Sequence, residues 1–201
     1  MVRLMLVTDD RWVEGRDLLD LARAAERGGA TAVQLRLKAT SPRDLVVLGR
    51  LLVAALRIPV LINDRPDVAL AAGAAGVHLG PEDLPVHLAR AVAPPGFVIG
   101  ASVGSAVEAG QATEADYWGI GPWRVTSTKP DAGVSLGPKG FARLTRLAVG
   151  KPCVAIGGVL PEDLPAVRSA GGAGVAVVSG ILGAPDVEAA ARRYGEVGGS
   201  A

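Results

Sequence analysis

The sequence predicts an α/β protein folded as a single-domain (β/α)8 TIM barrel, and three observations predict it. Short apolar runs rich in β-branched residues recur along the whole chain, each followed by a helical pattern. The runs lack the in/out alternation of a half-solvated sheet, as residues 58–79 (IPVLINDRPDVALAAGAAGVHL) illustrate. Such strands belong in a parallel sheet covered on both faces. Finally, the runs make eight strand–helix units in 201 residues, compact against the roughly 250 residues typical of the closed fold. A doubly wound open sheet is the alternative. It more usually has five or six strands and a Gly-rich first turn, and no GxGxxG follows the first run. No linker interrupts the chain, so the barrel is expected over residues 1–195, with residues 196–201 a frayed tail.

Strands are expected at residues 4–7, 32–35, 59–62, 76–79, 98–101, 117–121, 153–156 and 174–178. The first helix, 17–27, carries Asp17 in an acidic first turn and stops at Gly28-Gly29. The second follows Ser41-Pro42, a cap and a proline at the first helical position, and runs to about residue 56. A short alanine-rich helix separates strands three and four. Later helices are expected at 85–93, 106–113, 138–147, 161–170 and 185–194. The polar segment between residues 122 and 137 is long for a compact barrel, which suggests a lid or binding loop.

Composition narrows the function. Hydrophobic residues make up 49% and mean hydropathy is +0.34, so a large core is available, built from aliphatic side chains because aromatics are 3%. No apolar run reaches the roughly 18 residues that span a bilayer. The first residues enter a strand pattern without a signal peptide, so a cytoplasmic protein is expected. Net charge is +1 from 21 basic and 20 acidic residues, without a basic run, so small molecules rather than nucleic acid or membranes are the expected partners. Assembly state is left open, a homodimer included. The lone cysteine, Cys153, sits among apolar neighbours and reads as a buried, inert thiol.

The chemistry gathers just past the C-terminal ends of the strands, where parallel α/β folds build their sites. Gln34, Arg36 and Lys38 alternate beyond strand two and share a face, one amide and two cations suited to a polyanion. Asn63 and Asp64 follow strand three and Asp83 follows strand four. Two acids from neighbouring strand tips suit a hard cation such as Mg²⁺, although either also suits the start of a helix. His78, between Val77 and Leu79, reads as a hydrogen-bonded core histidine, and His87 as a surface residue. Thr126, Thr128 and Lys129 give the long loop two hydroxyls and a cation. Gly157-Gly158 and Ser179-Gly180 end strands seven and eight, where many barrels bind phosphate through backbone amides. Two anion sites facing each other across a barrel mouth fit a transferase releasing pyrophosphate, or an isomerase of one phosphorylated ligand.

Taken together these motifs resemble the thiamine phosphate synthase family over essentially the whole chain. The family's Q-x-R-x-K, N-D, H-x-G-x-x-D, G-x-S, G-P…T-x-T-K, G-G and V-S stand here as QLRLK, IND, HLGPED, GAS, GPWRVTSTK, IGG and VVS. The resemblance implies a transferase of thiamine biosynthesis. It would join hydroxymethylpyrimidine diphosphate to thiazole phosphate with Mg²⁺, pyrophosphate leaving first. It further implies that Asp64 and Asp83 hold the metal. Arg36, Lys38, Asn63 and Lys129 would grip the diphosphate, with Arg36, Lys38 and Lys129 as catalytic cations. Gln34 and Ser102 would lie near the pyrimidine, and Thr126 and Thr128 near the thiazole phosphate. Gly158, Val178 and Ser179 would offer backbone amides.

Three positions depart from the family's pattern: Leu37 replaces a Glu, Gly104 a His and Arg124 an aromatic. A sister group on the same fold, the thiazole tautomerases, has a His where this chain has Pro122 and tends to lose the diphosphate and metal residues. A non-catalytic phosphate-ligand sensor would not need Asp64, Asp83 and Lys129 together.

Overall fold

In the computed structural model, which describes residues 2–125 and 134–196, eight strands follow one another around a closed parallel barrel. They are β1 (Leu4–Val7), β2 (Ala32–Leu35), β3 (Val60–Asn63), β4 (Gly76–Leu79), β5 (Val98–Val103), β6 (Tyr117–Ile120), β7 (Cys153–Ile156) and β8 (Gly174–Val177). β8 closes the ring on β1, with Met5 opposite Ala176. The expected fold class is therefore the observed one. Helices α1 (Asp10–Val13), α2 (Leu18–Arg27), α3 (Pro42–Ala55), α4 (Pro66–Ala72) and α5 (Val86–Val92) cover the first half. Helices α6 (Ala106–Gln111), α7 (Gly137–Thr145), α8 (Leu164–Ser169), α9 (Ser179–Leu182) and α10 (Val187–Glu196) cover the second. Residues 126–133 and 197–201, the expected frayed tail almost entire, lie outside the described residues.

The strands do alternate, but between two buried surfaces. Leu4, Leu6, Val33, Leu35, Ile62, Val77 and Leu79 pack outward into the core shared with the helices. Met5, Val7, Ala32, Leu61, Tyr117, Val154 and Ala176 pack inside the barrel. Both faces are dry, so hydropathy shows no period of two although side-chain direction does. The interior holds little volume, and one large ring fills much of it. Tyr117 is 2% exposed, and a Cβ on Gly100 of the neighbouring strand would stand 2.2 Å from its ring. The scarcity of aromatics thus hides a strict requirement for a glycine opposite one of them.

Most helix boundaries follow their signals. Ser41 caps α3 by accepting the Asp44 amide N–H at 3.2 Å, with Pro42 opening the helix. Asp17 is the cap of α2 rather than part of its first turn, accepting the Asp20 N–H at 3.0 Å. Several bounds shift: β3 runs through Asn63 and β5 through Ser102 to Val103, because backbone pairing with β4 and β6 continues past the apolar run. Two helices were not expected, α1 after β1 and α9 after β8. Each has only four residues, too few for a 3.6-residue period to register.

Replacing Gly100 with alanine is expected to overpack the barrel interior and cost about 1–3 kcal/mol. At this chain length that lowers the thermal midpoint by roughly 2–12 °C. A calorimetric melt unchanged by Gly100→Ala would rule out the Tyr117 packing described here.

Candidate active site

Strand parity builds the site. Gln34, Asn63, His78 and Ser102 occupy interior-facing positions at the C-terminal ends of β2 to β5, and all four line one cavity of about 830 Å³. Arg36, Lys38, Asp64, Asp83, Gly157, Gly158, Val178 and Ser179 line it as well. Every site residue expected from the sequence and described here therefore meets in one space. Thr126, Thr128 and Lys129 lie outside the described residues.

One end of the cavity is charged. Arg36 Nη1 donates to Asp9 Oδ2 at 2.7 Å, and Lys38 Nζ pairs with Asp64. Asp64 and Asp83 are within hydrogen-bonding reach of each other. Asp83 is anchored on its other side, accepting the Gly80 N–H at 2.6 Å. Asp64 does not cap α4. The residue before that helix is Arg65, which makes no side-chain cap bond. Asp64 instead adopts a left-handed backbone (φ 65) while its N–H donates to the His78 carbonyl at 2.8 Å. A non-glycine residue held there carries strain, the kind often found where a side chain must be aimed.

The two acids titrate apart. Burial, then the hydrogen bond and charge of Asp64, push the Asp83 carboxyl up to about 6. Burial also acts on Asp64, but the hydrogen bonds from Asp83 and Lys38 and the charges of Lys38 and Arg36 outweigh it, so its carboxyl stays below the ordinary range. Without a cation the pair thus tends to share one proton. Among the described residues no group of three acids, histidines or cysteines gathers as a metal cluster. The donor set is two carboxylates.

Beneath this pair runs a buried polar chain. His78 Nδ1 is 2.8 Å from the Tyr117 hydroxyl and His78 Nε2 is 3.0 Å from Ser102 Oγ. Gln34 reaches the same Tyr117 hydroxyl, whose pKa burial raises. With both ring nitrogens engaged, His78 orients Ser102 as a hydrogen-bonded core histidine. His87 is exposed and Cys153 buried, its thiol pushed up to about 11 by burial.

The far end is backbone. Gly157 (φ 88) and Gly158 (φ 68) both require the left-handed region. The carbonyls around them are tied outward. Ile156 O accepts from Trp123 N–H at 2.8 Å, Gly157 O from Arg124 N–H at 2.9 Å, and Val159 O from the Tyr194 hydroxyl at 3.0 Å. Arg124 Nη2 pairs with the buried Asp163 at 2.6 Å, and Asp163 also accepts the Leu160 N–H at 2.9 Å. Arg124 is thus a brace behind the glycines and does not line the cavity. Neither does Leu37, whose side chain is in the helix-facing core. Only Gly104, of the three departures, faces the cavity. Its N–H donates to Glu108 Oε2 at 2.5 Å, which brings a carboxylate to the same wall. Sequence reasoning missed Glu108, Tyr117 and the clamp made by Asp9. Position immediately after β1 was the available signal for Asp9, the same rule that found Asp64.

Asp83 has an ordinary value of 3.8 and titrates at about 6 in the folded chain. Its burial therefore costs nothing below about pH 4 and increasingly more as pH rises to about 6. Asp64, shifted the other way, stabilises above its ordinary value and loses that contribution as pH falls through its folded one. Metal-free Asp83→Asn protein should melt like the parent at pH 4 and higher than the parent at pH 7. Melting curves showing no growth in that difference would exclude the proton-sharing pair.

A family model described as thiamine monophosphate synthase matches residues 4–181. The thiamine-phosphate synthase of Azorhizobium caulinodans is 48% identical over 194 residues, covering 94% of this chain and 91% of the relative. That of Moorella thermoacetica is 46% identical over 188 residues, covering 91% and 89%. Among solved structures, the thiamine phosphate pyrophosphorylase of Pyrococcus furiosus superposes with a TM-score of 0.86 at 36% identity, covering 98% of this chain and 95% of its own. A 3-hexulose-6-phosphate synthase at 20% identity and TM-score 0.69, covering 98% and 99%, shares the fold. Matching along nearly the whole chain, and carrying the family's strand-end residues into one cavity, the protein belongs to the thiamine monophosphate synthase family.

Proposed function

We propose that the protein is a Mg²⁺-dependent thiamine phosphate synthase. It transfers the hydroxymethylpyrimidine group from its diphosphate to thiazole phosphate and releases pyrophosphate. The observation that carries this reading is the polarity of the cavity. Two cations and two acids lie at one end, and a glycine loop with outward-tied carbonyls lies at the other. A diphosphate fits the first end and a monophosphate the second.

The reaction breaks the bond between the pyrimidine methylene carbon and a diphosphate oxygen, and forms a bond from that carbon to the thiazole nitrogen. The nitrogen attacks with a lone pair and loses no proton, so no general base is required. The work is to stabilise charge on the leaving group. Arg36 and Lys38 supply it from β2, Asn63 adds a donor from β3, and Lys129 is assigned a third cation by resemblance. Gln34 and Ser102, fixed by Tyr117 and His78, would hold the pyrimidine ring in place. Gly158, Val178 and Ser179 would bind the thiazole phosphate with backbone N–H groups, beside Thr126 and Thr128.

The residues present fit a magnesium ion. A carboxyl pushed up to about 6 beside a second acid marks a place where an added cation relieves repulsion. Magnesium is commonly held by one or two carboxylates together with substrate phosphates. Asp64 and Asp83 would hold it, and it would neutralise charge on the departing pyrophosphate. Impermeant phosphorylated substrates support a cytoplasmic location, and among the described residues no helix is long and apolar enough to cross a membrane.

A coupled assay tests the reading. Protein, Mg²⁺, hydroxymethylpyrimidine diphosphate and thiazole phosphate should yield pyrophosphate and thiamine phosphate in equal amounts, with both abolished by EDTA. Asp83→Ala should lower turnover on the order of 10²–10³-fold. Isomerisation of a thiazole carboxylate phosphate without synthase product would transfer the chain to the tautomerases. Ligand binding without either reaction would make it a sensor.

A further inference from the structure

Thr8, Asp9 and Asp10 follow β1, carry no role in the reaction proposed above, and yet grip the tip of β2 at five points. The Thr8 hydroxyl accepts the Arg36 N–H at 2.8 Å and donates to the Arg36 carbonyl at 3.1 Å. Asp10 accepts the Lys38 N–H at 2.7 Å and the Ala39 N–H at 3.3 Å. Asp9 takes the guanidinium itself, at 2.7 Å from Arg36 Nη1. Thr8 is fully buried, and the Asp9 and Arg36 side chains are only 15% and 19% exposed. The contact is therefore a partly desolvated ion pair, not a loose surface one.

Arg36 lines the cavity and Asp9 does not. A guanidinium has five donors in one rigid plane. Fixing one amino group from behind fixes the plane and leaves the remaining edge to face the cavity. An unheld arginine on a loop would have to give up rotamer freedom when a ligand arrives. Asp9 is held in turn: its side chain caps α1 by accepting the Arg11 N–H at 3.3 Å, and its carbonyl accepts from Trp12 and Val13.

We propose that Asp9 is a positioning residue for the diphosphate site, acting through Arg36. It aims the guanidinium before substrate binds, by the hydrogen bond it accepts rather than by its charge. The proposal rests on the synthase reading for the identity of the diphosphate but not for the geometry of the clamp.

The test titrates inorganic pyrophosphate into the Mg²⁺-containing protein and, in parallel, measures KM for each substrate. Asp9→Ala should weaken pyrophosphate about tenfold, comparable with the lower end of what a metal-binding side chain loses with its orienting hydrogen-bond partner. It should raise KM for the diphosphate substrate similarly and leave KM for thiazole phosphate unchanged. Asp9→Asn keeps an acceptor and a good cap, and should recover most of the affinity. Arg16→Ala controls for packing: Arg16 ties α1 to α9 through the Leu182 carbonyl without touching Arg36, so pyrophosphate affinity should stay at the parent value. The proposal is overturned by parent-like affinity in Asp9→Ala, by equal losses for both substrates, or by an equal loss in Arg16→Ala. Titration needs no turnover, so a parent that binds pyrophosphate but makes no thiamine phosphate defeats the synthase reading and still tests Asp9.

Discussion

Side-chain parity is the constraint on which the rest depends. In each strand one residue in two faces the barrel interior, and the next faces the helices. Closure of β8 onto β1 fixes the phase for all eight. Once Met5, Leu61 and Tyr117 are committed to the interior, Gln34, Asn63, His78 and Ser102 follow at the interior positions nearer the mouth. A slip of one residue in any strand would turn a polar side chain into the helix-packed core and an aliphatic one into the cavity. The lower interior is dry and filled, with Tyr117 against Gly100 as its plug. The upper interior is polar because that plug ends in a hydroxyl. Tyr117 passes its hydrogen bonding to His78 and Gln34, and His78 passes it to Ser102. Packing below and orientation above are thus one continuous structure.

Electrostatics at the mouth follow from bringing charges there before any ligand arrives. Among the described residues, each cation lining the cavity is matched by an acid: Arg36 by Asp9 and Lys38 by Asp64. A concave site with two uncompensated cations would repel itself and hold water tightly. The paired acids offset that charge. Asp83 is the member with no cation of its own, which is why burial and Asp64 together push its carboxyl upward. Among the described residues that line the cavity, carboxylates outnumber cations, which agrees with the magnesium reading proposed above.

The sequence made the barrel legible through repetition, since eight apolar runs with turn residues between them leave few topologies. It made most of the cavity legible through one rule, that polar residues just beyond strand ends face the mouth. That rule located Arg36, Asn63, Asp64 and Asp83 on neighbouring strands. It could not reveal α1 and α9, whose four residues each are shorter than any periodic signal. It could not separate Asp64 as helix cap from Asp64 as cavity acid, because both begin with the same Asp-Arg-Pro. The choice is made by a left-handed backbone and by a neighbouring strand's Asp83, neither of which is local in sequence. Nothing local marks Tyr117 either, since its significance resides in Gly100 and His78.

Parity also explains why departures from a family pattern are unequal. Leu37 stands between two cavity residues, Arg36 and Lys38, but an odd offset turns it into the core among the helices. A substitution there changes packing and leaves the cavity wall untouched. Arg124 sits beside Gly157 and Gly158, yet its side chain runs to Asp163, which also holds the Leu160 amide, so it braces that loop from behind and leaves the cavity wall untouched. Gly104 alone removes a side chain from the wall. There the backbone N–H is taken by Glu108 from the first turn of α6, which brings a carboxylate to the wall. Counting departures along the chain would weight the three equally. Weighing them by the direction each side chain takes leaves one, at the wall that Ser102 shares.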